Sequence, residues 1–159
     1  MLMARGLWPP RLQEGQSIGV RPRYDLAFGF RPNGVWEDVV KVVKTSDLPK
    51  EPAVSPLFTG SVFRQVIIDP AESKNFNFSI VNFSAGSRNK FHQHTSDQIL
   101  IVTDGTGTVA TDQEERTVTT GDVVLIPAGE NHWHGAPGAT PMSHITVQAK
   151  DSKTQQNEP

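Results

Sequence analysis

The chain has no cysteine. Disulfides and thiolate metal sites are therefore excluded, and any metal has to be held by imidazole, carboxylate, amide or water. Lack of cysteine does not fix a compartment. No apolar run is long enough to span a bilayer, and the opening MLMARGLWPP lacks the apolar stretch of a secretory signal. A cytoplasmic location is the default expectation. There is no strong charge surplus either. The net charge of -2 and the pI of about 6.2 point to neither a nucleic-acid nor a membrane partner. A small-molecule substrate is the expected partner. No segment carries a helical period over ten or more residues. The length of 159 residues allows one domain with a real core and hardly two.

What is present divides the chain. The first 36 residues hold Arg5, Arg11, Arg21, Arg23 and Arg31 and no lysine, whereas seven lysines and three arginines follow from residue 37 onward. The same stretch is rich in Pro and Gly and has no sustained period. It reads as a poorly structured arm over 1–37, or as an over-extended reading frame with its natural start near Val35 to Val39. The folded unit is expected over 38–150. The tail AKDSKTQQNEP is polar and is expected to fray, leaving 151–159 flexible.

The folded unit reads as all-β. Short runs rich in Val, Ile, Phe and Thr are separated by turn residues. The expected strands are 39–43, 61–68, 76–83, 97–103, 107–111, 116–120, 122–127, 132–136 and 143–148, with tight turns at Asp104-Gly105 and Gly121-Asp122. Many short, evenly spaced strands imply a sandwich, jelly roll or barrel.

All five histidines lie between 92 and 144, four of them in the pairs His92/His94 and His132/His134. On a strand, residues two apart share a face. His92 and His94 can thus present two imidazoles together. Gln98 has the same parity, and His132 can arrive from a distant strand that folds back. An H-x-H pair with distant donors is one way to build a metal site open to substrate. Single histidines are more often surface or satisfied core residues, and spacing alone leaves both readings open. Trp133 has the opposite parity and should face another layer or a partner chain. Asp97 and Glu130 read as solvent-facing. Ile99 and Ile101 make the second face of their strand apolar, as a further sheet or a dimer contact would require.

Residues 86–105 read Gly86, five residues, His92-x-His94, three residues, Gln98, six residues, Gly105. This pattern resembles the first cupin motif, with Gln98 where Glu usually stands. Residues 121–136 read Gly121, five residues, Pro127-x-Gly129, two residues, His132, three residues, Ala136. They resemble the second motif, with Ala136 where Asn is usual. The resemblance covers about 57–148. It implies a cupin conserved β-barrel (a double-stranded jelly roll), commonly dimeric, with one divalent metal on His92, His94, Gln98 and His132. Similar cupins suggest Mn or Fe, and the donor set also suits Zn or Ni. Three imidazoles and an amide are neutral, so the ion would keep its full +2 charge, which favours Lewis-acid chemistry over redox chemistry.

The stretch also looks like the small cupins that include manganese hydroxynitrile lyases. That likeness implies His144 or His134 as a base and Gln148 as an orienting donor. Three functions compete: a metal-dependent lyase, a quercetinase-like dioxygenase, and a non-catalytic module that binds a small ligand.

Overall fold

Alternation along the strands determines which side chains face inward, and it is most regular between residues 62 and 148. The structure, a computed structural model, describes residues 40–159. The arm assigned to 1–37 and the alternative start lie outside the described residues. The strand expected at 39–43 is not seen over 40–43, and a short 3-10 turn at Thr45–Asp47 follows it. Val40 and Val42 are 87% and 85% exposed. A β-branched run with no cross-strand neighbour gains nothing from extension.

The strands are β1 (Glu51–Pro52), β2 (Phe58–Thr59), β3 (Val62–Ile68), β4 (Phe76–Phe83), β5 (Ser87–Asn89), β6 (His92–His94), β7 (Gln98–Thr111), β8 (Glu115–Thr119), β9 (Val123–Ile126), β10 (His132–Ala136), β11 (Met142–Ala149) and β12 (Thr154–Gln156). Among the described residues there is no α-helix. One antiparallel sheet runs β1-β3-β4-β11-β7-β9. The other runs β8-β7-β10-β5-β2, with β6 paired to β10 and β12 to β6. The strand β7 belongs to both, and its corner folds the two sheets into a jelly-roll barrel.

That corner corrects an expectation. Asp104-Gly105 was expected to make a tight turn between two strands, but β7 runs unbroken through it. Opposite it the register slips: Ser143 pairs with Asp104 and His144 with Val102, leaving Thr103 over as a bulge. Gly105 has φ of 77°, and a Cβ there would collide with the carbonyl oxygen of Pro141. The residue therefore serves a bend inside a strand. Gly121-Asp122 does turn, with the Asp122 carboxylate accepting from Thr119 N–H at 2.7 Å.

The inner face of the first sheet changes character along its length. One cross-strand row is Val62, Phe83 and Met142, with Gly105 at its end. These side chains, together with Leu100, Val102 and Ile126, form the apolar core. The next rows are Arg64, Val81, His144, Val102 and then Val66, Ser79, Thr146, Leu100. The row beyond holds Asn77, Gln148 and Gln98. Polarity thus rises steadily away from the core and opens a cavity of about 450 Å³. On the outer face Ile99, Val123 and Leu125 are 38%, 67% and 63% exposed, and no second sheet covers them among the described residues.

The polar tail does not fray as expected. Thr154, Gln155 and Gln156 pair with His94, Gln93 and His92. Beyond them Glu158 takes both Nη groups of Arg88, at 3.0 and 2.8 Å, and the Phe91 N–H at 2.9 Å. An open strand edge offers unpaired backbone groups, and a polar segment can complete it as readily as an apolar one.

Gly105→Ala should lower stability by more than about 1–2 kcal/mol, because left-handed strain adds to the collision with Pro141. Thermal unfolding followed by circular dichroism tests this. An unchanged midpoint would show that the corner tolerates a side chain.

Candidate metal centre

The pairing of β6 with β10 sets His92 directly opposite His132. Their ring centroids are 4.3 Å apart. His94, two residues along β6, is 4.8 Å from His92 and 5.4 Å from His132. Gln98, the first residue of β7, places its Oε1 3.1 Å from His132 Nε2. His134 follows two residues after His132, and its ring lies 4.8 Å from that of His144 on β11. Gln148 lines the same cavity. The structure therefore brings together all four residues expected as metal ligands and places the three expected catalytic residues on the adjoining walls.

Hydrogen bonds fix which nitrogen of each ring carries hydrogen. His92 Nδ1 is 2.8 Å from the Lys90 carbonyl, and His132 Nδ1 is 2.9 Å from the Glu130 carbonyl. A carbonyl only accepts, so both Nδ1 atoms donate and both Nε2 atoms carry lone pairs. His94 Nδ1 is 3.0 Å from Thr154 Oγ1, which can accept its hydrogen, while His94 Nε2 is buried with no partner. Gln98 donates through Nε2 to Thr146 Oγ1 at 3.0 Å and turns its oxygen towards His132. The His132 lone pair thus faces the Gln98 oxygen, two acceptors with no hydrogen between them. This arrangement fits a cation.

His134 differs. Its backbone N–H donates to Asn89 Oδ1 at 2.6 Å, which fixes the amide so that Asn89 Nδ2 donates to His134 Nε2 at 3.0 Å. The hydrogen of His134 must then sit on Nδ1, an atom buried without a partner. His144 is the reverse: Nδ1 donates to the Ile145 carbonyl at 3.2 Å, and Nε2 is the buried, unpartnered atom. His144 offers a lone pair, and His134 offers a hydrogen.

Burial lowers every one of these imidazoles. His92 falls to about 3 and His94 and His144 to about 4. His132 is lowered by burial, and His134 lies well below the ordinary value through burial and the neighbouring imidazoles. All five are neutral near pH 7, the state a metal ligand needs. His92, His132 and His134 have ring nitrogens within 4.8 Å of one another and could hold a metal ion. The tautomers nevertheless favour His94 over His134 for the third position.

Trp133 is buried on the opposite side from its neighbouring histidines and lies under the Arg88 guanidinium, 5.0 Å from the ring centroid. Asp97 and Glu130 are exposed, and Asp97 caps the Ala128 N–H at 2.9 Å. Residues that sequence reasoning passed over are Asn89, Thr154, Arg64 and Ser79. Arg64 carries a signal, being a charged residue at the inward parity of its strand. Thr154 carries none, since the tail reads only as polar.

The fold and the imidazole cluster define a small jelly-roll barrel whose interior can hold a divalent metal. The comparisons agree. A cupin domain model matches residues 79–148. An (R)-mandelonitrile lyase from Granulicella tundricola is 35% identical over 96 residues, covering 58% of this chain and 72% of that protein. A cupin-like protein from Thermotoga maritima superposes with a TM-score of 0.65 at 30% identity, over 70% of this chain and 88% of that one. A polyketide cyclase from Streptomyces resistomycificus gives a TM-score of 0.68 at 19% identity, over 74% and 85%, and speaks for the fold alone. The chain belongs to the cupin family.

Acid should weaken the fold in a defined window. His144 titrates near its ordinary 6.5 when unfolded and at about 4 when folded, because burial penalises its charge. Above pH 6.5 neither state binds the proton. As pH falls from 6.5 to 4 only the unfolded chain does, so stability declines, and below 4 this contribution levels off. The loss amounts to on the order of 3 kcal/mol. In EDTA-treated protein, His144→Gln should flatten the dependence of the thermal midpoint on pH across that window. Parallel curves for both proteins would remove His144 as a source of acid sensitivity.

Proposed function

We propose that this cupin is a metal-dependent lyase that cleaves a cyanohydrin-like substrate into a carbonyl compound and hydrogen cyanide. The observation that carries the reading is the buried, unpartnered lone pair of His144 Nε2 in a cavity lined by His92, His94 and Gln98, with the His132 ring 4.3 Å from that of His92. The likeness to a relative named (R)-mandelonitrile lyase supports it. His92, His94, Gln98 and His132 would hold the ion, manganese or iron in this reading. A divalent ion held by neutral ligands supplies Lewis acidity, which lowers the pKa of a substrate hydroxyl.

The chain's own groups do the rest. His144 Nε2 takes the hydroxyl proton. The carbon–carbon bond to the nitrile breaks, its electron pair leaves with cyanide, and the hydroxyl oxygen becomes the carbonyl oxygen. The proton on His144 then passes to cyanide, giving hydrogen cyanide and restoring the base. The His134 Nδ1–H and the Gln148 Nε2 amide are unsatisfied donors on the same cavity walls and orient the nitrile end. In this role His134 is a donor, not a base.

Metal-loaded protein should release benzaldehyde from mandelonitrile under nitrogen. His144→Ala should lower kcat/KM by about 10²–10⁴-fold with metal content unchanged. His92→Ala and His132→Ala should each lose most of the metal by elemental analysis. Strict oxygen dependence would favour a dioxygenase, and no turnover of any cyanohydrin would favour a binding module.

The same reading takes the protein as a homodimer joined through the outer face that carries Ile99, Val123 and Leu125. Light scattering should give twice the chain mass of 17.5 kDa. A monomer mass across micromolar concentrations would discard the dimer.

A further inference from the structure

Among the described residues, the cavity is lined by one cationic side chain that the proposed chemistry does not use. Arg64 stands on β3 at the parity of Val62 and Val66, is exposed at the cavity mouth, and lines the same cavity as His144 and Gln148. Its Nε donates to Ser79 Oγ at 3.1 Å, and Ser79 is 1% exposed, so the guanidinium is anchored from inside the barrel. Among the described residues that is its only hydrogen bond and it has no ion pair, which leaves both Nη groups without a protein partner. Among the described residues Glu51, its cross-strand neighbour, is the only carboxylate on the cavity wall, and it makes no salt bridge with Arg64. Along one row the order is Arg64, Val81, His144, so Arg64 lies two strand spacings, roughly 10 Å, from His144.

We propose that Arg64, held by Ser79, is a carboxylate-binding subsite, and that the substrate is a small anionic molecule with a carboxylate at one end and a hydroxyl at the other. This rests on the reading of the cavity as a substrate site.

The geometry of the fork carries the choice of ligand. With Nε taken by Ser79, the two Nη groups form an end-on pair that matches the two oxygens of a carboxylate. The same fork can also meet a phosphate, but a phosphate carries about two negative charges. Among the described residues the cavity has no lysine and no second arginine to match the second charge, and its other walls near Arg64 are Val66 and Val81. The apolar pair Leu57 and Phe58 lines the same cavity, as the body of an aromatic or aliphatic acid would require. The two backbone positions are roughly 10 Å apart, and the side chains that reach in from them shorten the span a ligand has to cover. A neutral cyanohydrin such as mandelonitrile would leave Arg64 unused, so this chain should prefer a carboxylated analogue.

Calorimetry on the metal-loaded full chain tests the subsite without requiring turnover. The probes are para-hydroxymethylbenzoate and benzyl alcohol. The wild type should bind the carboxylate at least about tenfold more tightly, and Arg64→Leu should abolish that ratio while metal content stays unchanged. Arg64→Lys keeps the charge but not the fork, and should retain only part of the preference; circular dichroism confirms that each variant is folded. An equal ratio in wild type and Arg64→Leu would overturn the proposal, as would stronger competition by inorganic phosphate than by acetate. Arg64-dependent binding of the carboxylate by a protein that cleaves no cyanohydrin would uphold the subsite and remove the lyase reading. Cleavage of para-carboxymandelonitrile and mandelonitrile with the same kcat/KM in both proteins would do the opposite.

Discussion

Two backbone carbonyls orient the centre of this molecule. Lys90 O and Glu130 O each accept the Nδ1 hydrogen of the histidine two residues further on, His92 and His132. Because β6 and β10 pair these histidines directly, the two identical local bonds turn both Nε2 lone pairs into the barrel. The rest of the site depends on that alignment. His94 is brought to the same face by strand parity, and Gln98 by the entry of β7. Without the carbonyls the rings could rotate or change tautomer, and the donors would no longer converge.

Such an arrangement would be costly without partners from outside the chain. A buried polar atom left unpaired costs about 1–3 kcal/mol, and His94 Nε2, His134 Nδ1, His144 Nε2 and Gln148 Nε2 have no protein partner among the described residues. A domain of this size has only a small net stability to set against them. The apolar row of Val62, Phe83 and Met142 and the sheet-switching corner at Gly105 supply the rigid frame that keeps these groups apart from water and from one another. The tail contributes as well: Thr154 reaches His94, and Glu158 fastens the strand through Arg88. Local cost at the site and firm packing beside it are parts of one design.

The sequence made the inner shell legible because strand parity is a strong rule. Residues two apart must share a face, so His92 with His94 and His144 with Gln148 could be grouped before any coordinates. Strands 61–68, 76–83, 116–120, 122–127, 132–136 and 143–148 were readable to within a residue or so, whereas the short strands β5 and β6 were not among the expected ones. What could not be read depends on long-range pairing. Asp104-Gly105 has the composition of a hairpin turn, yet the bulge opposite His144 makes it a corner within one strand. The tail AKDSKTQQNEP has no apolar pattern, and only the open edge of β6 explains why it pairs. Val40 and Val42 show the converse, since strand-forming residues stay out of the sheet when no partner is present among the described residues. The tautomers of His134 and His144 were equally hidden, because they are set by Asn89 and by the Ile145 carbonyl, which composition does not reveal.

Charge connects these observations. Gln98 in place of a carboxylate leaves the inner donor set neutral, and burial keeps all five imidazoles uncharged near pH 7. A divalent ion held there would therefore remain uncompensated by its ligands, and Arg64 adds positive charge on another wall of the same cavity. Interactions between charges strengthen as water is excluded, so such a cavity favours anions most strongly at its buried imidazole end and less at the exposed Arg64. A substrate with a carboxylate on Arg64 and an oxygen that becomes more negative near the imidazoles would meet both demands. Exchanging Gln98 for glutamate would alter this balance at its centre while changing only one donor atom. The departure at position 98 and the unpaired arginine thus belong to the same electrostatic argument, although they lie on different strands.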